Sequence, residues 1–458
     1  MKRFSYSVCA AFMAAALLLS CNKKIDSQSI TTIKGLTITA SQDGSSRTTF
    51  DGQKSKWSDG DKMNVLISAS DDSSIGPNEF MITDAENAQF SNDEVVTNAG
   101  ELYKFYAVYP VCDISADKRA TIAVGAATQE QDGASAGHIA ALDPLYGYTE
   151  STPEAVSIPM KHTAVVMKLD IKNLTDNANL VIKQVKVKAP SGVMIAGPYS
   201  VDIEQGNVTP TSEAVNSIVL SIDGAQSVSS GSTFTACVAA APFTIARGGS
   251  LLFTVVDGDD NEYDVIKSFP DGRDFISGKI LSATLEIKEK SSVETTITAS
   301  FDFTDKSIYP ADVATSTNTP NEKITCISEE GYSIDIYAAK GCYYTTANNQ
   351  LKINEINTKS DDTQYATMSL PQIAGYKIVG IKLKNATGSS NASVMLCYKE
   401  GNELKACDDK LLQSQNVEFA ANEIAAFVND DSQYYLKFVT VSKMKITLNS
   451  MEIAYLRL

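Results

Sequence analysis

Val165-Val166-Met167-Lys168-Leu169-Asp170-Ile171-Lys172 alternates apolar and polar side chains along almost its whole length. A period of two residues is that of a strand with one face on a core and the other in water. The same pattern recurs at Ile182-Lys183-Gln184-Val185-Lys186-Val187-Lys188 and at Ser217-Ile218-Val219-Leu220-Ser221-Ile222. Leu251 to Val256 and Tyr263 to Lys267 read as a hairpin joined across Asp257-Gly258-Asp259-Asp260-Asn261-Glu262, a tip of solvated carboxylates. Long helical periodicity is scarce, and Gly, Asn, Asp and Ser punctuate the runs. The expected fold is all-β, built of tandem β-sandwich domains.

At 458 residues the chain has room for two to four domains of ordinary size. The clearest break is the polar stretch Lys288-Glu289-Lys290-Ser291-Ser292-Val293-Glu294, after the strand Ile280 to Ile287. A softer break falls around Thr149 to Glu154. The expected map is therefore a signal peptide over 1–21, a tether over 22–34, a first sandwich over 35–153, a second over 154–288, a linker over 289–295 and a C-terminal domain over 296–458. Ala123 to Ala141, rich in Ala, Gly and Gln, reads as a long loop of the first sandwich. A change of phase between Leu448 and Met451 reads as a bulge in the final strand.

The net charge of -16 argues against a nucleic-acid partner, which calls for clustered Lys and Arg. Eight cysteines without a CxxC, and only two histidines, give no zinc-site spacing. No cofactor is expected. A hairpin centred on Asn402 would set Cys397 opposite Cys407; a disulfide and a pair of buried thiols are both open.

The first residues carry an export signal. Lys2 and Arg3 precede a mostly apolar run from Val8 to Leu19, which ends in Leu18-Leu19-Ser20-Cys21. The run is shorter than the roughly 20 apolar residues of a membrane span. Cysteine directly after a small residue resembles the lipobox of bacterial lipoproteins. That resemblance implies cleavage before Cys21, acylation of Cys21 and anchoring in the outer membrane. Several acyl chains on one residue give durable attachment.

Between Gly35 and Ile287 the order of local patterns resembles the fimbrillin-like family, pilus subunits of Gram-negative anaerobes. Leu36-Thr37-Ile38-Thr39-Ala40 comes first, then Ser46-Arg47-Thr48-Thr49-Phe50. Trp57-Ser58-Asp59-Gly60-Asp61 fits the family's W-x-x-G-D pattern ahead of a strand. Phe105 to Pro110, Lys161-His162-Thr163-Ala164, Ala241-Pro242 and Phe275-Ile276-Ser277-Gly278-Lys279 complete the ordered set. The resemblance implies two transthyretin-like sandwiches, proteolytic processing at Arg47-Thr48 and assembly with other fimbrial subunits by β-strand exchange. Main-chain hydrogen bonds then supply affinity and alternating side-chain pockets supply register.

Residues beyond Thr295 depart from that family. Phe301-Asp302-Phe303, Gly331-Tyr332-Ser333-Ile334, Gly341-Cys342-Tyr343-Tyr344, Leu370 to Ile378 and Tyr434-Tyr435-Leu436 look like a jelly-roll module, and many such modules resemble carbohydrate-binding domains. Tyr343, Tyr344, Tyr434 and Tyr435 are the candidate glycan contacts. Strand alternation instead places one ring of each pair in the core and one at the surface.

Other motifs fail on context. Gly133-Ala134-Ser135-Ala136-Gly137 with His138 fits G-x-S-x-G, but Gln129-Glu130-Gln131-Asp132 precedes it where an apolar strand is required. Asp257, Asp259 and Asn261 begin like a calcium loop, yet Glu262 replaces its glycine and Ser268 its final glutamate. Trp57 reads as a core residue ahead of a turn, and His162 as a core or edge histidine. The reading is a non-enzymatic fimbrial subunit or adhesin at the cell surface, a tip or accessory component meeting a host or bacterial ligand or glycan. Its rival is a surface glycan-binding lipoprotein of a polysaccharide-uptake system.

Overall fold

The computed structural model describes residues 31–42, 57–288, 290–291, 296–316, 320–353, 363–386, 392–400, 403–411, 415–425, 430–441 and 446–458. Cys21, Arg47 and Thr48 lie outside these residues. Nearly every regular element is a strand, and the all-β tandem architecture read from the alternation is present.

The first unit contains β1 (Thr32–Gln42), β2 (Lys62–Ser68), β3 (Ser74–Asp84), β4 (Gln89–Asn98) and β5 (Tyr103–Tyr109). The chain then leaves it for β6 (Arg119–Val124) and β7 (Thr128–Asp132), and returns with β8 (Leu145–Ser151) and β9 (Val156–His162). The order β1-β4-β3-β2-β5-β8-β9 closes into a barrel, sealed by parallel pairing of β9 with β1. Closure leaves no free edge. Ile38, Phe80, Phe90, Phe105 and Ile158 fill the interior.

The second unit holds β10 (Val165–Asn173), β11 (Asn179–Lys188), β12 (Gly197–Asp202), β13 (Val208–Pro210), β14 (Ser217–Ser229), β15 (Thr233–Ala240), β16 (Phe243–Ile245), β17 (Gly249–Asp257), β18 (Glu262–Phe269), β19 (Arg273–Phe275) and β20 (Ile280–Ile287). Its main sheets run β15-β10-β20 and β18-β17-β11-β14-β7. Val165, Met167, Leu169 and Ile171 of the decisive stretch point into the core between them.

Two expectations change here. Ala123 to Ala141 is not a loop of the first unit, because β6 pairs with β12 and β7 pairs in parallel with β14. Strand β7 escapes notice because its buried positions are polar. Gln129 and Gln131 turn inward, donate to the carbonyls of Ala239 and Thr235, and accept from the N–H groups of Ala239 and Cys237. A glutamine amide satisfies both backbone partners and leaves no apolar signature. Strand β9, which a break at 153/154 assigns to the second unit, pairs with β8 and β1 in the barrel. The Thr152–Ala155 break is a hairpin turn within the barrel.

The C-terminal unit contains β21 (Thr296–Asp302), β22 (Asn321–Ile327), β23 (Ser333–Thr345), β24 (Gln350–Ile353), β25 (Thr363–Ser369), β26 (Tyr376–Ala386), β27 (Ser393–Glu400), β28 (Glu403–Leu411), β29 (Gln415–Phe419), β30 (Tyr434–Val441), β31 (Ile446–Leu448) and β32 (Ser450–Arg457). A sheet β21-β32-β26-β29 packs on a larger one, β28-β27-β30-β25-β23-β24-β31, with β22 beside β23. The phase change between Leu448 and Met451 is a switch of sheets, not a bulge within one strand. Strand β31 pairs with β24 in one sheet and β32 with β26 in the other, so Leu448 and Met451 are both fully buried.

The C-terminal unit is docked on the second. Strand β17 is buried at every position because its outer face lies beneath that unit, and Leu252 joins the C-terminal core. Arg457 pairs with Glu262 at 2.6 Å and with Asp264 at 2.9 Å. The Asp431 carboxylate accepts the N–H groups of Ser191 and Gly375, each at 2.8 Å. Gly375 has φ +75°, and a Cβ there would stand 2.6 Å from Leu252 Cδ2, so glycine is required by both backbone and space.

Candidate functional site

The seat of β1 is the first candidate. Its alternation puts Leu36, Ile38 and Ala40 inside, at 3%, 0% and 0% exposure. On one side it runs antiparallel to β4, from Thr32 opposite Asn98 to Thr39 opposite Gln89. On the other it runs parallel to β9, from Ile38 opposite Val156 to Gln42 opposite Met160. A register shift at Gly35, φ +83°, lets the strand follow the barrel's curvature. Burial of each large aliphatic side chain contributes about 1.5–3 kcal/mol.

Trp57, the first described residue after the segment that follows β1, closes the seat. Its ring meets Phe90 and Tyr109 edge-on at 4.9 Å, and its Nε1 donates to the Ala40 carbonyl at 3.3 Å. Asp61 accepts from the Ser58 N–H at 2.8 Å and from the Tyr109 hydroxyl at 2.9 Å. The W-x-x-G-D pattern is thus a clamp on the end of β1. Burial and the Asp61 carboxylate push the Tyr109 hydroxyl up to about 12, so it stays a donor.

The other sequence candidates fall in varied places. Tyr344 and Tyr434 are core residues at 3% and 5% exposure, and Tyr343, on the opposite face, is 5% exposed with the Lys352 ammonium over its ring, so none of the three offers an open ring. Tyr344 donates to the Thr304 carbonyl, and its ring lies 5.1 Å from that of Tyr309. Tyr435 points to the outer face and is the one of the four that is half-buried instead of buried. The sequence reading missed Tyr337 and Tyr365, exposed at 49% and 48% on that same face. Their signal was parity: buried Ile336 and Ala366 precede or follow them.

Strand register sets Cys397 opposite Ala406, with a shift beside it, and the Cys407 side chain lies outside the described residues. Cys326 and Cys342 are buried thiols, and burial pushes Cys342 up to about 12. His138 Nε2 lies 3.0 Å from the Cys237 carbonyl in a short 3₁₀ segment after a turn, far from the geometry of a nucleophile elbow. His162 ends β9 with its Nδ1 2.8 Å from the buried Asp143 carboxylate. Asp257 is not solvated: it is 3% exposed, accepts from Asn261, Tyr263 and the Asp259 N–H, and holds the hairpin turn shut. Among the described residues there is no cluster suited to a metal ion, and no helix long and apolar enough to cross a membrane.

The profile of the fimbrillin-like family matches residues 46–301, more than half of the chain. The chain belongs to the fimbrillin-like family. It is accordingly a non-enzymatic structural protein of the cell surface, with a fimbrial or adhesive role. No curated protein matches it. Among solved structures, a candidate cell adhesion protein from Bacteroides uniformis is similar at 16% identity and a TM-score of 0.37, covering 56% of this chain and 94% of that one. A fimbrial protein from Bacteroides vulgatus is similar at 11% identity and 0.31, covering 57% and 98%. A fimbrial assembly protein from Parabacteroides distasonis is similar at 14% and 0.29, covering 56% and 91%. The fimbrillin-like match ends at Phe301 within β21, so nearly all of the C-terminal unit lies beyond it.

Proposed function

We propose that this fimbrillin-like chain is a lipid-anchored fimbrial subunit whose first strand is exchanged for that of a neighbour. Acylation of Cys21 holds the precursor at the outer membrane. Cleavage between Arg47 and Thr48 separates β1 and its lipid from the rest of the chain. The observation that carries this reading is the place of β1. It follows the proposed tether in sequence, it is hydrogen-bonded on both sides, and its three inward residues are buried. Its removal would open a groove between β4 and β9 lined by unpaired N–H and C=O groups, a template for another strand.

The docked C-terminal unit supports a tip or accessory position. It adds a second sandwich, held by Arg457 and Asp431, that a repeating stalk would have to accommodate at every step. In this reading the C-terminal unit meets the external ligand and the barrel meets the next subunit. A Cys397–Cys407 disulfide would brace the β27–β28 hairpin. The mature N-terminus on intact cells tests the processing step. Thr48 is expected; an acylated Cys21 on every copy in assembled fimbriae would overturn it.

A further inference from the structure

Every aromatic ring of the described residues is buried or half-buried except two, and those two are neighbours. Tyr337 and Tyr365 stand on the outer face of the large C-terminal sheet. Cross-strand register runs Lys323–Tyr337–Thr367–Lys437, with Tyr365 two residues before Thr367 on the same face. Between the rings lies an open cleft of about 390 Å³, floored by the paired Ala338 and Ala366 and rimmed by Glu322 and Thr367. This size falls within the range of about 300–1,000 Å³ typical of small-ligand sites.

Charge narrows the ligand. Lys323 is neutralised by Asp335 at 2.9 Å, and its ammonium lies 4.9 Å from the Tyr337 ring centre. Lys437 lies 4.5 Å from the Tyr365 ring centre, and Glu322 brings a negative charge to the opposite rim. The cleft therefore offers two aromatic rings, each with a lysine ammonium over one face, and a lining with one carboxylate acceptor, one hydroxyl and no cation to draw an anion. The chain's own charge of -16 opposes anions further. A pyranose ring presents a C–H face that packs on an aromatic ring and an equatorial rim of hydroxyls that need both acceptors and donors. Ala338 and Ala366 turn their side chains into the core, so the floor is backbone and such a ring can lie close to the sheet.

We infer that the Tyr337–Tyr365 cleft binds a neutral oligosaccharide, with the two rings stacking on sugar faces and Glu322 and Thr367 bonding hydroxyls. This gives the adhesin reading its ligand class and rests on that reading. Strand exchange at the barrel is a separate matter.

The test is titration calorimetry on the full chain carrying Arg47→Ala, so that binding is read without assembly. The probes are cello-, xylo-, manno- and galacto-oligosaccharides, with sialyllactose and a hyaluronan hexasaccharide as the anionic arm. At least one neutral probe is expected to saturate at submillimolar concentration. Tyr337→Ala and Tyr365→Ala should each weaken it about tenfold or more with an unchanged melting temperature, because both rings are half in solvent. Tyr337→Phe and Tyr365→Phe should bind nearly as wild type, which separates stacking from a hydroxyl contact and from misfolding. Glu322→Gln should weaken binding several-fold. Absence of binding to all four neutral families, binding indifferent to both alanine variants, or binding confined to the anionic arm would overturn the inference. None of these outcomes alters assembly measured on the chain with Arg47 intact.

Discussion

The indole Nε1 of Trp57 donates to the Ala40 carbonyl at 3.3 Å, joining the residues on either side of the segment that contains Arg47. The contact ties the end of β1 to the barrel it closes. Trp57 is the chain's single tryptophan, so its fluorescence reports on that seat alone.

Trp57→Phe should retain most of the ring packing on Phe90 and Tyr109 but lose the bond to Ala40. A cost of about 1 kcal/mol is expected for the lost hydrogen bond. Trp57→Ala should cost about 3–5 kcal/mol through the cavity it leaves. Denaturant unfolding of the first unit measures both; equal and small effects would mean that the indole does not clamp β1.

Cleavage within the linker 289–295 should nick the chain without separating it. Ser291 is hydrogen-bonded to Glu262 and Asp264, and Arg457 bridges the two units on the same strand, β18. The fragments are expected to co-elute near neutral pH and to part when Arg457→Ala is introduced. Immediate separation of the wild-type fragments would contradict the docked arrangement.

That docking should also be acid-sensitive. The Lys186 ammonium hydrogen-bonds Glu262 and, against partial burial and together with Arg457, holds its carboxyl below the ordinary value of 4.5. A depressed carboxylate contributes stability that is present above 4.5 and is lost as pH falls through the lowered folded value. Glu262→Gln should therefore destabilise the folded chain by about 1–2 kcal/mol near pH 7, a partly buried pair, and the share owed to Arg457 is the part that loosens the docking. The difference from wild type should shrink below pH 4.5. A variant whose deficit is the same at every pH would exclude the ion pair as its source.

Much of the fold was legible in the alternation. Val165 to Lys172 and Ile182 to Lys188 are one-sided strands, and their parity alone named the core residues. Parity failed where a second surface or a polar interior intervened. Gln129 and Gln131 bury amides in place of apolar groups, so β7 looked like a loop. Leu448 and Met451 belong to different sheets, so a turn of the chain looked like a bulge. The site was legible in part. The block Leu36 to Ala40 was singled out from sequence, but doublets drew attention to Tyr343, Tyr344, Tyr434 and Tyr435. Single outward tyrosines at 337 and 365 sat unremarked beside core residues, and only register brings them together.

Cys21→Ala should remove the thiol that accepts lipid. The variant is expected in the soluble envelope fraction, whereas the wild type requires detergent. Membrane retention of the variant to the wild-type extent would contradict anchoring through Cys21.

Size-exclusion chromatography with light scattering after arginine-specific digestion tests strand exchange most directly, with Trp57 emission followed in parallel. Removal of β1 should expose the indole and shift its emission to the red. Capture of a neighbour's strand should then return the emission to the blue as dimers and longer species appear. An excess of a peptide spanning residues 34–42 should hold the trimmed chain monomeric by filling the groove, and Arg47→Ala should prevent the change altogether. A trimmed chain that stays monomeric without the peptide, with Trp57 as shielded as before, would contradict strand exchange at this end of the protein.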